Sequence, residues 1–250
     1  LLDLSAVIFI SGILINEKYI AIDFSRKEMA GNDYIAAIRD ALLPLTRSTA
    51  QADAQAAAIE QAERQFGAGM RSAQLSREFA TLLRQAGGTP AAHDGMAPSP
   101  AFVAGRELLT RVGNQSNLIL DPDLDSYYTM SLVILRFPEL LEVINSTRDL
   151  ALQLATAEGA QRQRLQTQFL ILEGRMDATM GGIGSDYTEA FAASTPLLRR
   201  HLDGSRAALQ QAVAQFRAST QALAGTPAHA DGNAPLLRHD AAAVAALQRA

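Results

Sequence analysis

Apolar residues recur along the chain at alternating steps of four and three, the spacing that lines them up on one face of a helix. The first stripe runs through Phe24, Glu28, Gly31, Ile35, Ile38, Leu42 and Leu45. It predicts a helix reaching about Thr49, with a kink or break at Pro44. Glu28 and Gly31 are unusual members of a core stripe, one charged and the other without a side chain. A second helical stretch, rich in Ala, Gln and Glu, is expected over 52–85, loosened in its middle by Gly67 and Gly69. The segment Gly87 to Pro100, GGTPAAHDGMAPSP, is turn chemistry throughout. A short helix over 101–112 and a break over 113–120 are expected next.

Asp121-Pro122 reads as a helix start, because Asp is a favoured N-cap and Pro fits the first helical position. That helix carries Tyr127, Met130, Ile134, Phe137, Leu141 and Ile144 on one stripe, with a kink expected at Pro138, and ends near Gly159. From Ala160 to about Ala224 two further stripes follow, Leu165, Phe169, Leu172 and Met176, then Leu202, Leu209, Val213 and Phe216. The Gly-rich run Met180 to Asp186 between them predicts a break, and Pro196 a second discontinuity. Gly225 to Pro235 is expected to be a loop, and Ala241 to Ala250 the start of a last helix.

These periodicities add up to about six helices with no convincing strand and no clean repeat. The expected fold is all-α: an elongated antiparallel helical bundle of two stacked four-helix modules sharing long helices. The membrane-proximal module would be built from both chain ends, the distal one from the middle.

Composition narrows the function classes. The 250 residues include no Cys and no Trp, so disulfides and thiolate metal sites are excluded. Net charge is −4 with Lys and Arg scattered, which argues against a nucleic-acid surface. Leu4 to Ile15, LSAVIFISGILI, is uncharged and mostly apolar, yet shorter than the roughly 20 residues that span a bilayer. Residues 1–16 are therefore expected to be the end of a first transmembrane helix, the competing reading being a buried core helix. Residues 17–250 would then be an extracytoplasmic domain. A second membrane helix and a cytoplasmic output domain are expected beyond residue 250.

Two segments carry a family resemblance. Glu17 to Leu42 contains Lys27, Glu28, Gly31 and Tyr34 in a Lys-Glu-x-x-Gly-x-x-Tyr pattern. Ser116 to Ile144, SNLILDPDLDSYYTMSLVILRFPELLEVI, holds Asp-Pro-Asp-Leu-Asp-Ser-Tyr-Tyr at the head of a helix. Both resemble helical extracytoplasmic sensor domains of methyl-accepting chemotaxis proteins and sensor histidine kinases. The size and helix count are similar to the helical bimodular class of those domains. The resemblance implies a homodimeric receptor in the bacterial inner membrane, with this region in the periplasm. It also implies a ligand pocket between helices and a signal passed along helices into the membrane.

No convergent catalytic set, phosphate loop or dinucleotide fingerprint is visible, and His93, His201, His229 and His239 lack metal-ligand spacing. Asp121, Asp123 and Asp125 alternate as calcium ligands do, but Ser126 and Leu132 stand where an EF-hand loop needs Gly and Glu. They read better as an acidic first turn favoured by the helix dipole. The densest polar patch is Asn114, Gln115, Ser116 and Asn117 followed by Tyr127 and Tyr128. It is either a site for a polar ligand or a network fixing loop to helix.

Glu28 needs a partner or water if it faces the core. Arg136 and Arg148 are candidates from the central helix, and an Arg inside a bundle suits a carboxylate or other oxyanion. The candidate ligand-binding set is thus Asn114, Asn117, Tyr127, Tyr128, Glu28 and Arg136, for a small polar or anionic ligand, with no cofactor. The expected function is ligand sensing for a chemotaxis receptor, or else for a histidine kinase. The reading from a different class is a coiled-coil scaffold without a ligand.

Overall fold

Tyr34, Ile35, Ile38, Ala41 and Leu42 are buried on one face of helix α1 (Leu2–Leu42), which realises the lower part of the first stripe. This is seen in a computed structural model that describes residues 2–43, 51–86, 98–119, 123–225 and 233–249. Among those residues every regular element is a helix, so the chain is all-α. Before Lys27 the side chains described on this helix are exposed. Phe24 is exposed, as are Val7, Phe9, Ile10, Ile13, Leu14 and Ile15. Phe24 thus leaves the core stripe because α1 meets α2 and α4 only further along. Among the described residues no helix is long and apolar enough to cross a membrane. Pro44, Leu45 and Thr49 lie outside the described residues.

The expected single helix over 52–85 is two, α2 (Ala52–Phe66) and α3 (Ala73–Ala86), packed against each other as a hairpin. Gly67 and Gly69 end a helix here instead of loosening one. Gly69 takes φ +87°, a conformation that carries no penalty only without a Cβ, and the turn reverses the chain. The turn is tied down by Glu63, whose Oε2 accepts from the Tyr34 hydroxyl and from Ser72 Oγ, each at 2.7 Å. Helix α4 (Pro100–Gln115) starts with Ser99 Oγ accepting from the Phe102 N–H at 3.2 Å and Pro100 in the first turn. Gly105 lets α4 close on Leu42 and Phe79, which would lie 2.6 and 2.9 Å from a Cβ there.

The next rod is continuous: α5 (Leu124–Ser131), a π-helical turn over Leu132–Arg136, and α6 (Phe137–Thr156). Where a kink was expected at Pro138, the rod instead carries this widened turn. Pro138 has no N–H for the Ile134 carbonyl and would clash with it in a regular helix. The extra residue relieves that, and the Phe137 N–H bonds instead to the Leu132 carbonyl. An inserted residue also rotates everything before it by roughly 100°. Hence Ile134, Leu141 and Ile144 are buried while Tyr127, expected on the same stripe, is 45% exposed. Asp121 and Pro122 lie outside the described residues, and the cap position is held by Asp123 without a side-chain cap bond.

Helix α7 (Gly159–Ala193) runs through the Gly-rich segment where a break was expected. Each interior glycine weakens a helix by only about 1 kcal/mol, and burial of Thr179, Ile183, Asp186, Tyr187 and Ala190 outweighs that. Helix α8 (Pro196–Gly225) begins at the expected discontinuity, and α9 (Asn233–Arg249) begins earlier than Ala241.

Packing follows chain order. Helices α1 to α4 pair among themselves, and α5 to α9 form a second group in which α6 meets α7, α8 and α9. The groups join where α4 meets the π turn, and one hydrophobic cluster runs through both. The arrangement differs from the expected module built from both chain ends: α1 packs on α2 and α4, whereas α9 packs on α8 and α6. Short connections favour neighbouring partners over distant ones.

Candidate functional site at the widened turn

The π turn delivers Arg136 to the face of α7. Its Nε donates to Asp186 Oδ2 at 3.0 Å, and Ser131 Oγ donates to the same oxygen at 2.8 Å. Glu139 lies 4.0 Å from Arg136 Nη1. Asp186 is almost fully buried, while the Arg136 side chain keeps 36% of its exposure. The guanidinium lies flat on α7 over Gly182: a Cβ there would sit 2.8 Å from Cζ, 2.9 Å from Nη1 and 3.1 Å from Nε. One edge of the guanidinium is thus pinned by Asp186 while the side chain as a whole keeps 36% of its exposure, and a guanidinium edge is the fork of N–H donors that a carboxylate matches.

A second junction lies where α1 meets the turn after α4. A Cβ at Gly31 would collide with Ser116 Cβ and Oγ and lie 3.2 Å from Leu118 Cδ1. Ser116 is buried, its N–H bonded to the Val112 carbonyl at 2.9 Å and its Oγ to the Gly113 carbonyl at 3.3 Å. Asn117 takes φ +68°, a left-handed conformation that Asn tolerates better than most residues. A Cβ at Gly113 would in turn lie 2.7 Å from Ile134 Cδ1 of the π turn. The Gly31 contact, the Ser116 turn and the widened turn therefore form one continuous path from α1 to Arg136.

The expected ligand set is only partly assembled. Asn117 belongs to the Ser116 turn, and Glu28 is half-buried on α1 one helical turn before Gly31. Asn114 is exposed. Tyr127 and Tyr128 meet edge to face, 5.2 Å between ring centres, two turns before Arg136. Arg136 does not pair with Glu28; it gives its charge to Asp186. Arg148 lies beside Asp149 at 2.7 Å and Asp240 of α9 at 3.6 Å. Among the described residues no three His, Asp or Glu side chains converge as metal ligands would.

Three features were missed from the pattern alone. Asp186 and Gly182 lie in the glycine-rich run whose composition predicts a break. Glu142, buried in α6, binds Arg106 of α4 and Arg175 of α7, the latter at 2.7 Å, and so ties the two helix groups together. Glu63 receives Tyr34, whose phenol is pushed well up by burial, with the neighbouring Glu63 carboxylate adding to the effect. Tyr187 is shifted the same way, also by burial.

No family model, no curated protein and no solved structure matches this chain. The functional reading therefore rests on the residues themselves.

Proposed function

We propose that this chain is the ligand-sensing extracytoplasmic region of a bacterial transmembrane receptor, of the kind that serves chemotaxis. A sensor histidine kinase is the nearest alternative output. The N-terminal apolar part of α1 is its membrane attachment, and the receptor acts as a homodimer in the inner membrane with this region in the periplasm. The observation that carries the reading is the contact of Gly31 with the Ser116 turn. It joins the two receptor-like segments, one on the long α1 helix and the other leading to the Arg136 cluster. A small shift around Arg136 would thereby reach α1, and a ligand that binds one arrangement more tightly would shift the population.

The chemistry favours a small ligand bearing a carboxylate for the open edge of Arg136. Asp186 and Glu139 beside it disfavour a bare anion and suit a ligand that also carries an ammonium group. A scaffold without a ligand has no use for a half-exposed guanidinium seated over a glycine. A thermal-shift screen of amino acids, organic acids and inorganic anions tests the proposal. It expects at least one amino acid or amino-acid-like compound to raise the midpoint with a saturable dose response, because binding to the native state adds RT ln(1 + [L]/Kd). A flat response across the screen up to millimolar concentrations supports the scaffold instead.

A further inference from the structure

We infer that the start of α8, with Leu197, Arg200 and His201 on its outer face and Arg199 beside them, is a surface that rests on anionic phospholipid headgroups next to α1. The inference rests on the reading of α1 as the membrane attachment and adds a second, peripheral contact with the same bilayer.

The contacts between helices put the α7–α8 turn at the end of the molecule toward which the start of α1 points. A Cβ at Gly31 would strike Ser116 after α4, and one at Gly105 near the start of α4 would strike Leu42, so α1 and α4 are antiparallel. Arg106 of α4 binds Glu142, and a Cβ at Gly113 would strike Ile134, so the α5–α6 rod is antiparallel to α4 in turn. Ser131 binds Asp186 and Glu142 binds Arg175, which returns α7 to the end where α5 begins. Arg217 binds Glu173, and Arg206 lies over Phe191, so α8 starts at that same end. One turn beyond Ile134 and Gly113 lie Ser131 and Ser116, so the Ser131–Asp186 bond is about level with Gly31. Thr195 is as far along the chain from Asp186 as Ile22 is from Gly31, so the turn stands level with Ile22, roughly 14 Å further on. The apolar side chains of α1 continue, exposed, through Tyr19, Ile20 and Ile22 before Asp23. With the apolar start of α1 in the bilayer, the headgroup zone falls between Asn16 and Asp23, where Lys18 and Tyr19 are suited to it.

Two features of α8 fit that position. The first is charge. Arg199, Arg200 and His201 are exposed and have no acidic partner among the described residues. Arg199 lies over the Phe191 ring, 6.0 Å from its centre. Basic groups near a helix start face its positive end, and the first turn of α8 holds no acid to offset them. An anionic surface supplies what the chain does not. Side chains lean toward the start of their helix, so both guanidiniums lean toward the bilayer. The second feature is apolar. Leu197 is 51% exposed and shares one face with Arg200 and His201 at i, i+3 and i+4. A leucine backed by basic groups is suited to the boundary between headgroups and acyl chains. Arg199 and Arg200 project about 100° apart, which suits a plane of headgroups more than one free anion. The acids nearby stand elsewhere. Asp203 is held by Arg206 at 3.4 Å, and the exposed Glu189 and Asp123 belong to α7 and to the start of α5, which packs on α7.

The chain has no Cys, so a single cysteine carries a single fluorophore. The complete 250-residue chain is reconstituted in vesicles of phosphatidylcholine with or without phosphatidylglycerol and labelled at Thr195→Cys, Ala218→Cys or Phe9→Cys. Ala218 is exposed on the same helix, roughly 35 Å further from the turn. Nitroxides on the lipid headgroups quench the first two labels, and nitroxides on the acyl chains the third. The proposal expects several-fold stronger quenching at Thr195→Cys than at Ala218→Cys in vesicles with phosphatidylglycerol. That excess shrinks without phosphatidylglycerol and in Arg200→Glu, and survives in Arg200→Lys. An acid near a helix start is favoured by the dipole, so the loss in Arg200→Glu is not a loss of fold. Inorganic phosphate acts no differently from chloride at equal ionic strength. Equal quenching at Thr195→Cys and Ala218→Cys, an excess indifferent to phosphatidylglycerol or to Arg200→Glu, or specific displacement by phosphate overturns it. Phe9→Cys separates the two levels. Quenching there without the Thr195→Cys excess refutes only the α8 surface, whereas no quenching there refutes the membrane-attachment reading with it.

Discussion

The guanidinium of Arg136 fills the space that a side chain at Gly182 would occupy. Gly182 thus has a role that the neighbouring glycines lack. Cβ atoms at Gly174, Gly181 and Gly184 would meet nothing within 4 Å. Replacing Gly181 or Gly184 with Ala should stabilise the protein by about 0.5–1 kcal/mol, because Ala loses less backbone freedom in a helix. Gly182→Ala should forfeit that gain, since it displaces Arg136 from Asp186. The gain should return in Gly182→Ala combined with Arg136→Ala, relative to Arg136→Ala alone. Urea denaturation of the set reads all of these, and a stabilising Gly182→Ala in the wild-type background would contradict the geometry.

Gly31 and Ser116 make the second tight approach. Gly31→Ala has no room for its methyl group and should destabilise by about 1–3 kcal/mol through overpacking. Ser116→Gly removes both atoms in the way, so Gly31→Ala with Ser116→Gly should recover most of the loss relative to Ser116→Gly. Equal and additive losses in thermal denaturation would mean that the two residues do not meet.

Glu142 is buried between Arg106 and Arg175, which both keep access to water. Removing either Arg leaves the carboxylate one partner, so Arg106→Ala and Arg175→Ala should each lower stability by about 0.5–1.5 kcal/mol. The pair should exceed the sum of the singles, because the double variant strands a buried charge. Denaturant midpoints of the three variants check this, and strict additivity would count against a shared node.

Tyr34 gives a pH dependence. Its phenol would titrate near the ordinary 10.0 in the unfolded chain, and burial raises it in the folded one. The unfolded state therefore releases the proton first. The contribution is fully present below about pH 10 and is lost as pH rises through the folded value. Tyr187 adds in the same direction. The urea midpoint should fall as pH passes about 10, and less steeply in Tyr34→Phe. That variant should also lose about 0.5–1.5 kcal/mol at neutral pH with the Glu63 hydrogen bond. An unchanged slope would place the alkaline transition elsewhere.

The all-helical class was legible because the stripes are long and regular. So was the continuity of α7, had the spacing been followed. Leu165, Phe169, Leu172, Met176, Thr179, Ile183, Asp186 and Ala190 keep alternating steps of four and three straight through the glycines. That stripe also puts Asp186 on the core face, which glycine counting hid. The α2–α3 hairpin was harder to read, because the helix patterns on its two sides continue each other and only Gly67 and Gly69 mark the reversal. The π turn follows from Pro138, but its consequence does not: once the rod is rotated, Tyr127 leaves the face that Ile134 keeps. The partners of Arg136 and Glu142 come from other helices, and helix periodicity carries no information about which helix lies opposite.

The central claim is that an event near Arg136 is felt in α1 through the Ser116 turn. Hydrogen–deuterium exchange of the chain, with and without a compound found in the thermal-shift screen, tests it most directly. The account predicts changed protection around the π turn and α7 near Asp186, and also in α1 around Gly31, with the α1 change lost in Gly31→Ala. A compound that protects the π turn and leaves α1 as it was would contradict the claim.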